Sequence, residues 1–200
     1  MMFAVKTILA FFIGSFPTGY IITKLLKKTD IRQEGSGNIG ATNVWRVTGK
    51  IPGVLVLIVD ILKGYLVVKY LALCEPISST FSTLEERIIL GFAVILGHTF
   101  SVFLKFKGGK GVATSAGVIF ALEPRIFFIC VVIWMIVFIV FRYVSLASIT
   151  TAVLLPFILL ITNRPFIYIM FGVFLALLVS YKHLSNIRRL ILGNEPKFHL

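Results

Sequence analysis

The stretch "IPGVLVLIVDILKGYLVVKYLAL", residues 51–73, decides the fold. A helix of that length, at about 1.5 Å per residue, crosses the ~30 Å hydrocarbon layer of a bilayer. Lys69 lies near one end, but Asp60 and Lys63 sit three residues apart inside the span. Charges at that depth are costly unless they pair or face the interior of a bundle. Asp60 and Lys63 are therefore expected to form an internal ion pair that supports a site from within, rather than to act on a substrate.

Outward from this stretch the same character recurs. Further apolar segments cover 3–23, 88–104, 112–122, 126–141, 144–161 and 166–181. Hydrophobic residues make up 58% of the 200 and charged residues 14%, against about 45–50% and about 25% in soluble domains. The expected fold is an all-α integral membrane protein, with about seven transmembrane helices in one bundle and a single domain over 1–200. The fourth segment is short and would reach only part-way across. Breaks fall at "EPR" (123–125), Arg142–Tyr143 and "NRP" (163–165), and Pro17 and Pro156 are expected to kink their helices. No internal repeat is visible. The first segment lacks a small-x-small cleavage pattern and more spans follow it, so it reads as an uncleaved helix rather than a signal peptide. Cys74 and Cys130 have no metal-ligand spacing and read as buried free thiols.

The net charge of +12 could suggest nucleic acid, but the basic residues flank apolar spans instead of covering a soluble face. An anionic bilayer surface fits better. With seven spans, one side collects Lys24, Lys27, Lys28, Arg32, Arg46, Lys50, Lys105, Lys107, Lys110, Arg142, Lys182, Arg188, Arg189 and Lys197. The opposite side has Arg87, Arg125 and Arg164, with Lys6 and Lys69 near span ends, and also Glu75, Glu85, Glu86 and Glu123. The positive-inside rule then places the N-terminus outside and the C-terminus in the cytoplasm. Three polar islands are left on the cytoplasmic side.

The first island is "GSGNIGATN" (35–43), followed by Arg46. Gly35, Gly37 and Gly40 permit close approach of backbone amides to a ligand, and Ser36, Asn38, Thr42 and Asn43 add short hydrogen-bonding groups. Arg46, three residues after Asn43, offers a bidentate grip on phosphate or carboxylate. The glycines fit G-x-G-x-x-G, but no strand precedes them, so a dinucleotide site is excluded. The second island is "KFKGGKGVAT" (105–114). Gly108, Gly109 and Gly111 surround Lys110 ahead of a helix expected near Val112, an arrangement suited to an anion. It is not a P-loop, because Gly111 follows Lys110 where Ser or Thr is required. Lys105 and Lys107 also suit the role of positive-inside anchors.

The third island is "HLSNIRRLILGNEPK" (183–197). His183 and Asn186 are three apart, on one helical face, where they could orient or deprotonate a hydroxyl. An H-x4-D acyltransferase motif is absent, since the fifth residue after His98 is Phe103 and after His183 is Arg188, and His199 is too near the end. Only Asp30 and Asp60 are aspartates, so a metal-dependent phosphotransferase is not expected, and no metal is. A transporter of a small organophosphate would use similar cationic loops. It should also show two pseudo-repeated halves with polar residues at the midplane, and no such repeat exists here.

"GSGNIGATNVWR", "KFKGGKGVAT" and "HLSNIRRL" with "GNEPK" together resemble the bacterial acyl-phosphate-dependent glycerol-3-phosphate acyltransferases, the PlsY family. The resemblance spans essentially the whole chain. It implies transfer of a fatty acyl group from acyl phosphate to the 1-hydroxyl of glycerol 3-phosphate at the bacterial cytoplasmic membrane, with no cofactor, giving lysophosphatidic acid and phosphate. By position it implies that Ser36 and Arg46 are the essential pair of the first motif. The glycines 108, 109 and 111 match the glycerol-3-phosphate loop, His183 and Asn186 the activity-linked pair, and Glu195 a structural glutamate. Gly37, Asn38, Thr42 and Lys110 are expected among the phosphate contacts, and Lys105 with Arg46 among the groups that hold phosphate during transfer. An acyl phosphate carries a good leaving group, so a preorganised electrostatic site suffices without a covalent serine intermediate.

Overall fold

A computed structural model describes residues 2–71 and 83–198. Helices dominate, and among the described residues no strand is formed. In chain order they are α1 (Met2–Ser15), α2 (Thr18–Lys27), α3 (Ala41–Thr48), α4 (Lys50–Tyr70), α5 (Thr83–Thr99), α6 (Val112–Leu122), α7 (Pro124–Phe141), α8 (Val144–Ile161), α9 (Phe166–Lys182) and α10 (Leu184–Ile191). Short 3₁₀ turns occur at Ile31–Gln33 and Val102–Leu104. Each of the seven apolar segments is helical over most of its described residues. Among the described residues, five stretches are long and apolar enough to cross a bilayer: Phe3–Lys27, Lys50–Tyr70, Leu84–Leu104, Pro124–Phe141 and Val144–Ile161. A sixth is obtained if α9 and α10, bent by 64° at their junction, count as one span. Helix α6, with 11 residues, is shorter than a crossing requires.

Local chemistry explains most boundaries. The first apolar segment breaks between Ser15 and Thr18, because Pro17 has no N–H for the helical ladder. Pro124 opens α7 at its first turn, where a missing N–H costs nothing. Arg142 closes α7 in the left-handed conformation (φ 63°), and Asn163 (φ 52°) with Pro165 separates α8 from α9. Pro156 lies inside α8 without ending it. Helix α5 begins at Thr83, earlier than hydropathy alone indicates. Glu85 and Glu86 occupy its first turn, where carboxylates favour the positive end of a helix.

The chain divides into two compact units, Met1–Leu122 and Glu123–Leu200. In the first, α1 packs on α5 and α4 packs on α6. Both pairs use reciprocal glycines. A Cβ on Gly14 would strike the Val94 carbonyl while one on Gly97 would strike that of Phe11; Gly64 meets the Thr114 carbonyl and Gly117 that of Ile61. Backbones at this separation gain van der Waals contact that no larger residue permits, the usual device for joining helices in lipid. A buried ion pair, Lys6 Nζ to Glu86 Oε1 at 2.9 Å, joins α1 to the start of α5. In the second unit α8 packs on both α7 and α9, and Gly172 lies against Pro156 and Leu159. Cys130 is a buried free thiol, as expected, and Cys74 lies outside the described residues.

Candidate active site

The first motif is a folded loop with its own core. Asp30 caps the turn at Ile31–Gln33 and grips Arg32 through both carboxylate oxygens, at 3.0 and 2.6 Å. The Arg32 hydrogen bonds and charge hold the Asp30 carboxyl below its ordinary range. Gly35 (φ 58°) and Gly37 (φ 69°) then turn the chain through left-handed conformations that other residues adopt at a cost. Asn43, only 2% exposed, ties the loop together. Its Oδ1 accepts the Ser36 N–H at 2.8 Å, and its Nδ2 donates to the carbonyls of Glu34 and Asn38 at 2.9 and 2.8 Å. Asn38 Oδ1 accepts the Gly40 N–H, and the Gly37 N–H reaches the Glu34 carbonyl, both at 2.9 Å.

This geometry corrects one expectation. The amides of Ser36, Gly37 and Gly40 are satisfied inside the loop, so the glycines shape it and do not offer those amides to a ligand. What the loop presents outward is side chains. Ser36 is exposed, Asn38 and Thr42 are half-buried, and Arg46 is exposed in the last turn of α3.

The second motif is seated on the end of α5. Lys105 (φ 54°) and Phe106 (φ 62°) are consecutive left-handed residues without being glycine, an arrangement that costs on the order of 1 kcal/mol each. The Gly109 N–H donates to the His98 carbonyl at 3.0 Å, which fixes the loop over the last turn of α5. A Cβ on Gly108 would strike that carbonyl, and a Cβ on Gly109 would strike the His98 imidazole at Nε2. Gly111 (φ 83°) turns the chain into α6, whose first turns carry Thr114 and Ser115 with buried hydroxyls lacking any hydrogen-bond partner. Lys105 and Lys107 are exposed and Lys110 is half-buried.

Beneath this loop lies a polar network that sequence reasoning found only in part. The expected Asp60–Lys63 ion pair is present at 2.7 Å, and both residues are buried. Lys63 Nζ also lies 2.8 Å from His98 Nδ1 and 3.4 Å from the Phe16 carbonyl. Thr18 donates to Asp60 at 3.3 Å. His98 had no signal in the sequence beyond a failed acyltransferase motif, because its partners come from α4 and from the 108–111 loop.

In the second unit, His183 joins α9 to α10 and is buried. Its Nδ1 lies 2.8 Å from the Val179 carbonyl, which can only accept, so Nδ1 carries the hydrogen and Nε2 is the basic nitrogen of the neutral ring. Asn186 Nδ2 donates to Glu195 Oε1 at 2.7 Å, Ser145 Oγ donates to the same oxygen at 2.7 Å, and Arg189 Nε donates to Oε2 at 2.7 Å. Burial pushes the Glu195 carboxyl upward, yet the three donors and the Arg189 charge outweigh it and hold the carboxyl below its ordinary range. Asn186 is thus anchored by Glu195, and Ser145 is a member of this cluster that sequence reasoning missed.

Among the described residues, no three His, Cys, Asp or Glu side chains are grouped to hold a metal ion. The chemistry on display is cationic and rich in amide and hydroxyl donors, which suits phosphate-bearing substrates.

Comparison with known proteins agrees. The family described as glycerol-3-phosphate acyltransferase matches residues 4–193. The glycerol-3-phosphate acyltransferase of Staphylococcus aureus (strain JH9) is 44% identical over 202 residues, covering 98% of each chain, and that of strain Newman is 43% identical over the same length. A crystal structure of PlsY (YgiH), an integral membrane glycerol 3-phosphate acyltransferase, in its glycerol 3-phosphate form superposes with a TM-score of 0.91 at 37% identity, covering 100% of this chain and 96% of that one. The lysophosphatidic acid form gives 0.87 at 36% identity with the same coverage. Matched across both compact units at this identity, the chain belongs to the glycerol-3-phosphate acyltransferase family, the PlsY proteins.

Proposed function

We propose that this multi-pass membrane protein transfers a fatty acyl group from acyl phosphate to the 1-hydroxyl of glycerol 3-phosphate. The hydroxyl oxygen attacks the acyl carbonyl carbon, the carbonyl carbon–phosphate oxygen bond breaks, and phosphate leaves as lysophosphatidic acid forms. The observation that carries the reading is the likeness, at TM-score 0.91, to the PlsY structure in its glycerol 3-phosphate form. The family match across both units supports one acyltransferase domain over 1–200.

The 108–111 loop, with Lys110 and the N-terminus of α6, is assigned the phosphate of glycerol 3-phosphate. Ser36, Thr42, Asn38 and Arg46 are the outward groups of the first motif; Arg46 and Lys105 neutralise phosphate charge during transfer, and the three neutral side chains hydrogen-bond to it. His183 and Asn186 position the hydroxyl, with Glu195 holding Asn186 from behind. The proton passes to a substrate phosphate, whose pKa near ~6 suits it to accept. With all seven apolar segments spanning, α6 by means of its polar flanks, the basic-residue asymmetry supports an N-terminus outside and all three motifs facing the cytoplasm, at the bacterial inner membrane.

The test is purified protein incubated with palmitoyl phosphate and glycerol 3-phosphate, with palmitoyl-CoA in a parallel reaction. Lysophosphatidate and inorganic phosphate in equal amounts are expected from the first mixture only. Product from the thioester alone would replace the donor, and no product from either would refute the reading.

A further inference from the structure

His98 is buried at the end of α5, directly beneath the 108–111 loop, and meets that loop in two ways. Its carbonyl accepts the Gly109 N–H at 3.0 Å and blocks any side chain on Gly108. Its ring fills the space where a Gly109 side chain would stand, with Nε2 as the nearest atom. On the other edge, Nδ1 is 2.8 Å from Lys63 Nζ, itself 2.7 Å from Asp60 Oδ1. An ammonium has donors and no acceptor, so Nδ1 must accept from Lys63. The hydrogen of the neutral ring then sits on Nε2, the edge facing Gly109. With one nitrogen accepting from Lys63 and the other carrying a hydrogen, His98 has no lone pair to act as a base.

Burying an acid, a base and an imidazole together inside a membrane bundle is costlier than filling the same space with apolar residues. Packing alone does not require such a cluster beneath a glycine loop. We propose that His98 is a positioning residue for the phosphate loop, with its rotamer and tautomer set by the Asp60–Lys63 pair. The loop then meets its phosphate already in the binding conformation, and the ordering cost is borne by the fold. The proposal rests on the reading that this loop binds a substrate phosphate.

The experiment compares His98→Ala, His98→Gln and Lys63→Met with the parent protein, purified in detergent. It measures KM and kcat for glycerol 3-phosphate and for palmitoyl phosphate separately. His98→Ala should raise the KM for glycerol 3-phosphate about tenfold while kcat changes by less than about threefold. His98→Gln, which keeps an N–H at the ε position, should recover most of the loss. In histidine labelled with ¹⁵N, the His98 signals, identified by their disappearance in His98→Gln, should show hydrogen on Nε2. Lys63→Met should abolish that tautomer preference and raise the same KM about threefold. If the KM for palmitoyl phosphate rises instead, His98 still positions the loop and the loop's assignment to glycerol 3-phosphate is wrong. If neither KM moves, if only kcat falls, or if hydrogen resides on Nδ1 in the parent protein, the proposal is overturned. Should His98→Ala not fold, His98→Gln, Lys63→Met and the parent spectrum decide the matter.

Discussion

Gly109 shows how much a single missing methyl can carry. The space a Cβ would need is occupied by the His98 ring, a buried group locked by Lys63, so Gly109→Ala must lift the loop or push the ring aside. We expect the KM for glycerol 3-phosphate to rise at least about tenfold and by more than kcat falls, read from initial rates with each substrate varied in turn. A rise in the KM for acyl phosphate alone would assign the loop to the other substrate. His183 poses a different residue-scale question, because a neutral ring with hydrogen on Nδ1 keeps its basic lone pair on Nε2. A true general base contributes about 10²–10⁴-fold, with activity rising through its pKa. For positioning with substrate-assisted proton transfer, His183→Gln should retain more activity than His183→Ala, and the acid limb between about pH 5.5 and about 9 should survive in both. Equal losses with disappearance of that limb would make His183 the base.

At the scale of elements, the C-terminal segment is fastened to α8 and α10 by one carboxylate. Glu195 accepts from Ser145, Asn186 and Arg189, each at 2.7 Å, and hydrogen bonds to a charged group contribute about 1.5–3 kcal/mol each. Its folded pKa is depressed, so this stabilisation is present above the unfolded carboxylate pKa and is lost as pH falls through the lower folded value. Glu195→Gln should therefore lower Tm by several degrees at neutral pH, and the gap to the parent should close on acidification. Activity should fall as well, because Asn186 loses its anchor. A gap independent of pH would show that the charge of Glu195 contributes nothing. The helix pairs give a second element-scale expectation. Gly117→Ala places a methyl against the Ile61 carbonyl on α4, and overpacking of this kind costs about 1–3 kcal/mol. A thermal scan in detergent should show the drop, and an unchanged Tm would mean that α4 and α6 can separate freely.

For the whole molecule, what the sequence revealed tracks how local each cause is. Helix α8 coincides with its apolar segment because lipid-facing composition alone defines it. The start of α5 was illegible, since Glu85 and Glu86 look like loop until Lys6, 80 residues upstream, is seen to pair with Glu86. The glycine loops announced themselves through consecutive small and basic residues. His98 and Ser145 did not, because each takes its meaning from a partner 35 or 50 residues away. Orientation is the global expectation most easily checked. Single cysteines at Gln33 and Ser185, in a background without Cys74 and Cys130, should resist an impermeant thiol reagent in intact cells. Labelling of either from outside would invert the topology.

The Lys6–Glu86 contact has a consequence for biogenesis. A ribosome adding about 5–20 residues per second needs on the order of 4–16 s to pass from one partner to the other. Throughout that interval the Lys6 ammonium of α1 lacks the Glu86 carboxylate, and a lysine near a span end is expected to snorkel toward the interface. Final seating of the first helix is then expected to wait for the fifth to emerge, so that the N-terminal segment should complete its insertion late although it is made first. Glu86→Gln should leave the mature enzyme's turnover intact while lowering the yield of protease-resistant protein in a pulse-chase. A normal yield would show that α1 settles without its partner.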